Sequence, residues 1–136
     1  MIEIFETNVI PTAGGKVRKF VDSDTKFLEG FGEIYFSEVE KNFVKGWKCH
    51  LKYFCHISIP VGAVKFVFVC EKKSSNKFHS IVLSCDTAKI IKIHPNTWFA
   101  FQGLYDGINL VANVLNGVHD PIESKNKALK EFSYEW

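Results

Sequence analysis

The segment Lys45-Gly46-Trp47-Lys48-Cys49-His50-Leu51-Lys52 concentrates the side chains best suited to acid–base chemistry. Along a strand, side chains alternate between two faces. Lys48, His50 and Lys52 then share one face, with Trp47, Cys49 and Leu51 on the other. Two lysines around a histidine make a poor core face, so this is either a solvated face or the wall of a polar pocket. Cations on both sides disfavour the charged form of the histidine. A neutral imidazole can accept a proton near neutral pH, as a general base must.

Other polar groups stand in apolar or turn-rich surroundings. Asn113 interrupts the apolar run Ile108–Leu115. A buried amide must find partners, so it either bonds a neighbouring strand or meets a ligand. His119 lies in the loop Asn116-Gly117-Val118-His119-Asp120-Pro121, where a surface histidine beside a turn is the plain alternative to a site residue. His56, His79 and His94 have no partner pattern and are read as structural or exposed. Asn96, in Pro95-Asn96-Thr97-Trp98, is read as a turn residue at positive φ, which Asn tolerates. A metal site needs three or four converging ligands. Lys48 stands where a His-x-His pair would begin and Cys49 points to the other face, so no metal and no cofactor are expected. No Gly-rich phosphate loop and no GxSxG elbow occur.

The elements that must position these residues are short strands. Candidates are Met1–Glu6, Lys16–Val21, Gly32–Ser37, Phe43–Trp47, Leu51–Pro60, Ala63–Cys70, His79–Ser84, Ala88–His94, Trp98–Gly103 and Ile108–Leu115. Each is rich in β-branched or aromatic residues and most are bounded by Gly, Asn, Asp, Ser or Pro. Pro60-Val61-Gly62 and Ser74-Ser75-Asn76 read as turns. Only Glu123–Glu131 has a helical pattern. Many short strands at this spacing predict an all-β sandwich or closed barrel, and closure removes exposed strand edges.

The bulk properties narrow the function classes. The chain has 136 residues, 46% hydrophobic and 15% aromatic, which suits one domain over residues 1–136. The net charge of +2 argues against nucleic-acid binding through phosphates. Arg18 is the one arginine, against 16 lysines, so phosphate contacts would be made by Lys as a point charge. No apolar run reaches the roughly 20 residues of a membrane span. The four cysteines form no CxxC pair and no signal peptide is seen, so free thiols and a cytoplasmic location are expected.

Taken in order, Gly32-Glu33-Ile34-Tyr35-Phe36-Ser37, Val44-Lys45-Gly46-Trp47-Lys48-Cys49-His50, Pro60-Val61-Gly62, Trp98-Phe99-Ala100-Phe101-Gln102-Gly103-Leu104, His119-Asp120-Pro121 and Tyr134-Glu135-Trp136 resemble the dTDP-4-dehydrorhamnose 3,5-epimerase family. The resemblance runs from about Gly32 to Trp136 and implies a cupin-type jelly-roll barrel, usually a homodimer. It also implies metal-independent chemistry on a dTDP- or other NDP-4-keto-6-deoxyhexose, with a proton taken from the carbon beside the ketone and returned on the other face. The family's Arg-Gly-x-His falls on Lys45, Gly46, Trp47 and Lys48, so Lys replaces the catalytic histidine. Its general-acid tyrosine falls on His119, a later histidine on Phe99, a turn glycine on Asn96, and the enolate-steadying lysine near Cys55. The acidic partner of the family's histidine has no clear counterpart. The related 3,4-ketoisomerases carry His-x-His-Lys here, of which Lys48-Cys49-His50-Leu51 keeps the second histidine.

The expected function is therefore epimerisation or keto-isomerisation of a nucleotide-linked sugar, in polysaccharide or deoxysugar biosynthesis. His50 is assigned as base, Lys48 as oxyanion stabiliser or base, and His119 as acid. Trp98 and Tyr35 would stack on sugar or nucleobase, Lys45 would touch diphosphate, and Lys52 and Asn113 complete the substrate contacts. The alternative is a non-catalytic sugar-nucleotide binder or partner subunit.

Overall fold

The computed structural model describes residues 1–71 and 75–136. Twelve strands occur among them: β1 (Ile2–Glu6), β2 (Val9–Thr12), β3 (Gly15–Arg18), β4 (Glu33–Glu38), β5 (Val44–His50), β6 (Cys55–Val61), β7 (Ala63–Cys70), β8 (Lys77–Ser84), β9 (Lys89–Ile93), β10 (Trp98–Gly103), β11 (Leu110–Leu115) and β12 (Ser124–Asn126). They build two five-stranded antiparallel sheets, β1-β9-β6-β11-β4 and β12-β5-β10-β7-β8, with β2-β3 a separate hairpin. This is the all-β architecture that the strand rhythm predicts, and the cupin-type jelly roll that the resemblance implies.

The two sheets pack face to face because β6, β7, β9, β10 and β11 turn apolar side chains inward. Ile57, Ile59, Val111, Leu115, Ile91 and Ile93 come from the first sheet and Val64, Phe66, Phe68 and Phe99 from the second, all buried in one cluster. A second cluster lies on the outer side of the second sheet, where Phe132 and the C-terminal aromatics cover Trp47, Val67 and Ala100. Fully burying one such side chain stabilises by about 1.5–3 kcal/mol.

The outer face of the first sheet is covered in part by residues 20–31. Phe27 stacks on Phe5 at 4.0 Å between centroids. His56 places Nδ1 3.1 Å from the Val114 carbonyl and Nε2 3.3 Å from the Phe27 carbonyl. Lys92 is buried against Glu29, with Glu3 3.8 Å away.

Turns form where the residue types demand them. Asn96 has φ 61° and Gly62 φ 79°. At Gly62 a Cβ would sit 2.5 Å from the Ile108 carbonyl oxygen, so glycine is required there for space as well as for φ. Ser74 of the expected Ser74-Ser75-Asn76 turn lies outside the described residues.

Three expectations need correction. Glu123–Glu131 is not a helix: Ser124–Asn126 pairs antiparallel with β5, and only Leu129–Glu131 makes a 3₁₀ turn. Helix-forming residue types are outweighed there by pairing to an open strand edge. Leu51–Pro60 is strand only from Cys55, because the chain bends at Leu51 and Lys52. Lys16–Val21 ends at Arg18, and its partner β2 was not foreseen because Pro11 interrupts it. Among the described residues no helix is long and apolar enough to cross a membrane.

Candidate active site

A cavity of about 430 Å³ opens between the sheets, within the usual size of small-molecule sites. Its walls are the inward faces of β4 and β11 on one side and of β5 and β10 on the other, closed by residues 119–124. The floor is apolar, with Ile57, Phe99, Phe101, Val111 and Leu115.

β5 supplies the basic wall. Phe99 of β10 pairs with Lys48, and Phe101, two residues on, pairs with Lys45, three residues back. This extra residue in β5 is a bulge. Phe99 and Phe101 both face inward, so the bulge turns Lys45 to the same side as Lys48 and His50. All three line the cavity, Lys45 at the exposed rim and His50 buried.

His50 is the best-positioned titratable group. Its Nδ1 lies 2.6 Å from Glu123 Oε2, and since a carboxylate only accepts, Nδ1–H donates. The other carboxylate oxygen accepts from the backbone N–H groups of Lys52 and Tyr53, both at 2.9 Å. Burial opposes the charge on Glu123, but these three donors outweigh it and hold its carboxyl below the usual carboxylate range. Burial pushes His50 below its ordinary value of 6.5, against the pull of Glu123, and Lys48 adds a smaller push in the same direction. The direction matches that expected from flanking lysines, but burial is the larger cause. A neutral ring with its proton on Nδ1 leaves Nε2 as a bare acceptor. Nε2 is buried and has no hydrogen-bond partner among the described residues.

Glu123 is the residue that sequence reading missed. It is an acidic partner for His50, 73 positions along the chain. Its signal was hidden by the helical pattern beginning at the same residue. A lone acidic residue two places after Pro121, in a chain with a histidine needing a partner, was the available clue.

The facing wall carries Tyr35 and Asn113, paired across β4 and β11. Asn113 Nδ2 donates to the Tyr35 hydroxyl at 2.9 Å, so the neighbouring-strand reading of Asn113 describes its amide nitrogen. Its Oδ1 is buried without a partner among the described residues. His119 lines the cavity from the rim and is exposed. Two expected substrate contacts lie elsewhere. Lys52 falls beyond the end of β5, exposed and off the cavity lining, because the strand alternation stops at His50. Trp98 faces the outer cluster, 5.9 Å from Phe132 with the Lys127 ammonium 4.6 Å over its ring. Its neighbour Phe99 takes the inward position. His56 is a packing residue, His94 pairs with Glu3, and His79 is exposed. All four cysteines are free, Cys49 and Cys55 buried.

No protein-family model and no curated protein matches the chain. Solved structures do. A dTDP sugar isomerase from Desulfovibrio desulfuricans G20 is 29% identical over 99% of this chain and 90% of that one, with a TM-score of 0.91. A dTDP-4-dehydrorhamnose 3,5-epimerase from Bacillus anthracis str. Ames, with TDP and pyrophosphate bound, is 16% identical over 99% of this chain and 84% of that one, TM-score 0.83. A 3'-monoepimerase variant from Streptomyces bikiniensis, in complex with dTDP, is 10% identical over 99% and 74%, TM-score 0.84. The fold of this chain is the fold of dTDP-sugar epimerases and isomerases.

Proposed function

We propose that the chain is a sugar-nucleotide epimerase or isomerase that removes the proton beside the ketone of a dTDP- or other NDP-4-keto-6-deoxyhexose, with His50 as base. The observation that carries this reading is the His50–Glu123 pair. A carboxylate fixes the tautomer and leaves Nε2 bare, on a ring that lines a cavity of sugar size. Such a pair performs general-base catalysis: the carboxylate orients the ring and steadies the imidazolium that forms. The C–H bond breaks toward Nε2 and its electron pair becomes the enolate double bond. Charge then collects on the former ketone oxygen, where a fixed cation stabilises it. Lys48, beside His50 on the same wall, is the cation placed for that role. Lys45 at the rim meets the diphosphate as a point charge. The 29% identical dTDP sugar isomerase supports a thymidine diphosphate carrier.

The test is exchange. Given a dTDP-4-keto-6-deoxyhexose in deuterated water, the protein washes deuterium into the carbon beside the ketone. His50→Ala lowers that rate by on the order of 10³-fold, with the melting temperature within a few degrees. Tight binding without exchange leaves a sugar-nucleotide binder. Absence of binding to any thymidine or uridine diphosphate sugar, by calorimetry, ends both readings.

A further inference from the structure

Removing a proton is half of an epimerisation; another group must return one. The family resemblance assigns that role to His119, but His119 is exposed at the rim. The wall facing His50 holds a better-placed donor. We propose that Tyr35, aimed by Asn113, is the proton donor that answers His50 from the opposite sheet; this rests on the function proposed above.

Three observations carry it. Tyr35 on β4 and His50 on β5 line one cavity from two different sheets, so a sugar ring between them meets one on each face. Asn113 Nδ2 donates into the phenol oxygen at 2.9 Å. With that lone pair occupied, the phenol O–H is free to turn toward the cavity. Asn113 is 3% exposed and its Oδ1 has no partner among the described residues. A buried amide with one unspent acceptor on a cavity wall suits a substrate hydroxyl. Burial also pushes the Tyr35 phenol up to about 12, so it carries its proton throughout the neutral range.

The step balances. His50 Nε2 takes the carbon-bound proton and the electron pair forms the enolate. Tyr35 O–H then gives its proton to the same carbon from the other face, the enolate collapses to the ketone, and the carbon is inverted. The resulting imidazolium and phenolate reset through water, which takes one proton and supplies one. Asn113 is a positioning residue in this scheme.

Deuterium wash-in and formation of inverted product separate the two halves. In Tyr35→Phe, which keeps the ring packing, His50 still exchanges the substrate proton, while inverted product falls by on the order of 10²-fold or more. Asn113→Asp reverses the hydrogen bond, because a carboxylate accepts from the phenol and draws its proton off the cavity. It should show the same split, with product down about 10-fold; a merely structural role would lower exchange and product together. The inference is overturned if Tyr35→Phe makes inverted product at the wild-type rate, if it loses exchange and product equally, or if the wild-type product carries its new proton on the face the old one left. Absence of exchange in the wild-type protein would remove the proposed function itself, a result distinct from these.

Discussion

His50 and His56 stand six residues apart on facing sheets, and both are almost fully enclosed, 5% and 0% exposed. Burial lowers the imidazolium of each, so neither burial nor pKa direction tells a working histidine from a structural one. Their partners do. His56 has a backbone carbonyl beside each nitrogen, from Val114 and Phe27; carbonyls only accept, so the neutral ring donates to one of them, and neither nitrogen opens on the cavity. His50 has a carboxylate at one nitrogen and no described partner at the other, and its ring lines a cavity. A ring packed between two backbone carbonyls holds the chain together; a ring held by a carboxylate at one nitrogen, on a cavity wall, suits the proton transfer proposed above.

Breaking the His50 half of this contrast gives the largest effect. Glu123→Gln keeps the volume and an acceptor for the Lys52 and Tyr53 N–H groups. Its amide, however, can donate to Nδ1 and so shift the ring proton to Nε2, blocking the base. Deuterium wash-in should fall on the order of 10²-fold, the usual scale for removing an orienting partner. Full activity in this variant would show that the carboxylate does not set the tautomer.

Breaking the His56 half should change stability. His56→Leu removes a hydrogen bond and leaves a buried carbonyl unpaired on the outer face of the first sheet, at a cost of roughly 2 kcal/mol. Denaturant midpoints measure it. Exchange per folded molecule should match the wild type. A selective loss of exchange would mean that residues 20–31 and the cavity are coupled through β6.

What could be read from the sequence followed the range of the interaction. Strand alternation is local, and it placed Lys48 and His50 on one face. The same rule failed at Lys52, because the bend at Leu51 ends the strand, and applied to Trp98 it would have turned that ring outward once Phe99 and Phe101 were taken as inward. Lys45 needed the β5 bulge, which depends on how β10 pairs and whose one local sign is Gly46 inside the strand. Glu123 was furthest out of reach. Its aim is set by three hydrogen bonds spanning 70 to 73 positions, and its local surroundings spell a helix. The His50–Glu123 pair was thus half legible: the histidine by periodicity, its carboxylate only in three dimensions.

The smallest effect concerns pH, and it sharpens the comparison because two readouts should diverge. Both histidines have folded values below their ordinary 6.5. Between those values and 6.5 the unfolded chain binds more protons than the folded one, so stability rises with pH through that window. It is fully present above 6.5, is lost as pH falls toward the folded values, and changes no further below them on account of these two groups. A second loss begins lower, where Glu3, Glu29, Asp22 and Glu123, all held below their usual range, take up protons. His56→Leu should therefore flatten the melting-temperature profile just below pH 6.5 and leave the acid limb of the exchange rate in place, since that limb belongs to His50. If the variant moves the exchange profile as well, the two histidines titrate as one system and the division of labour between them fails.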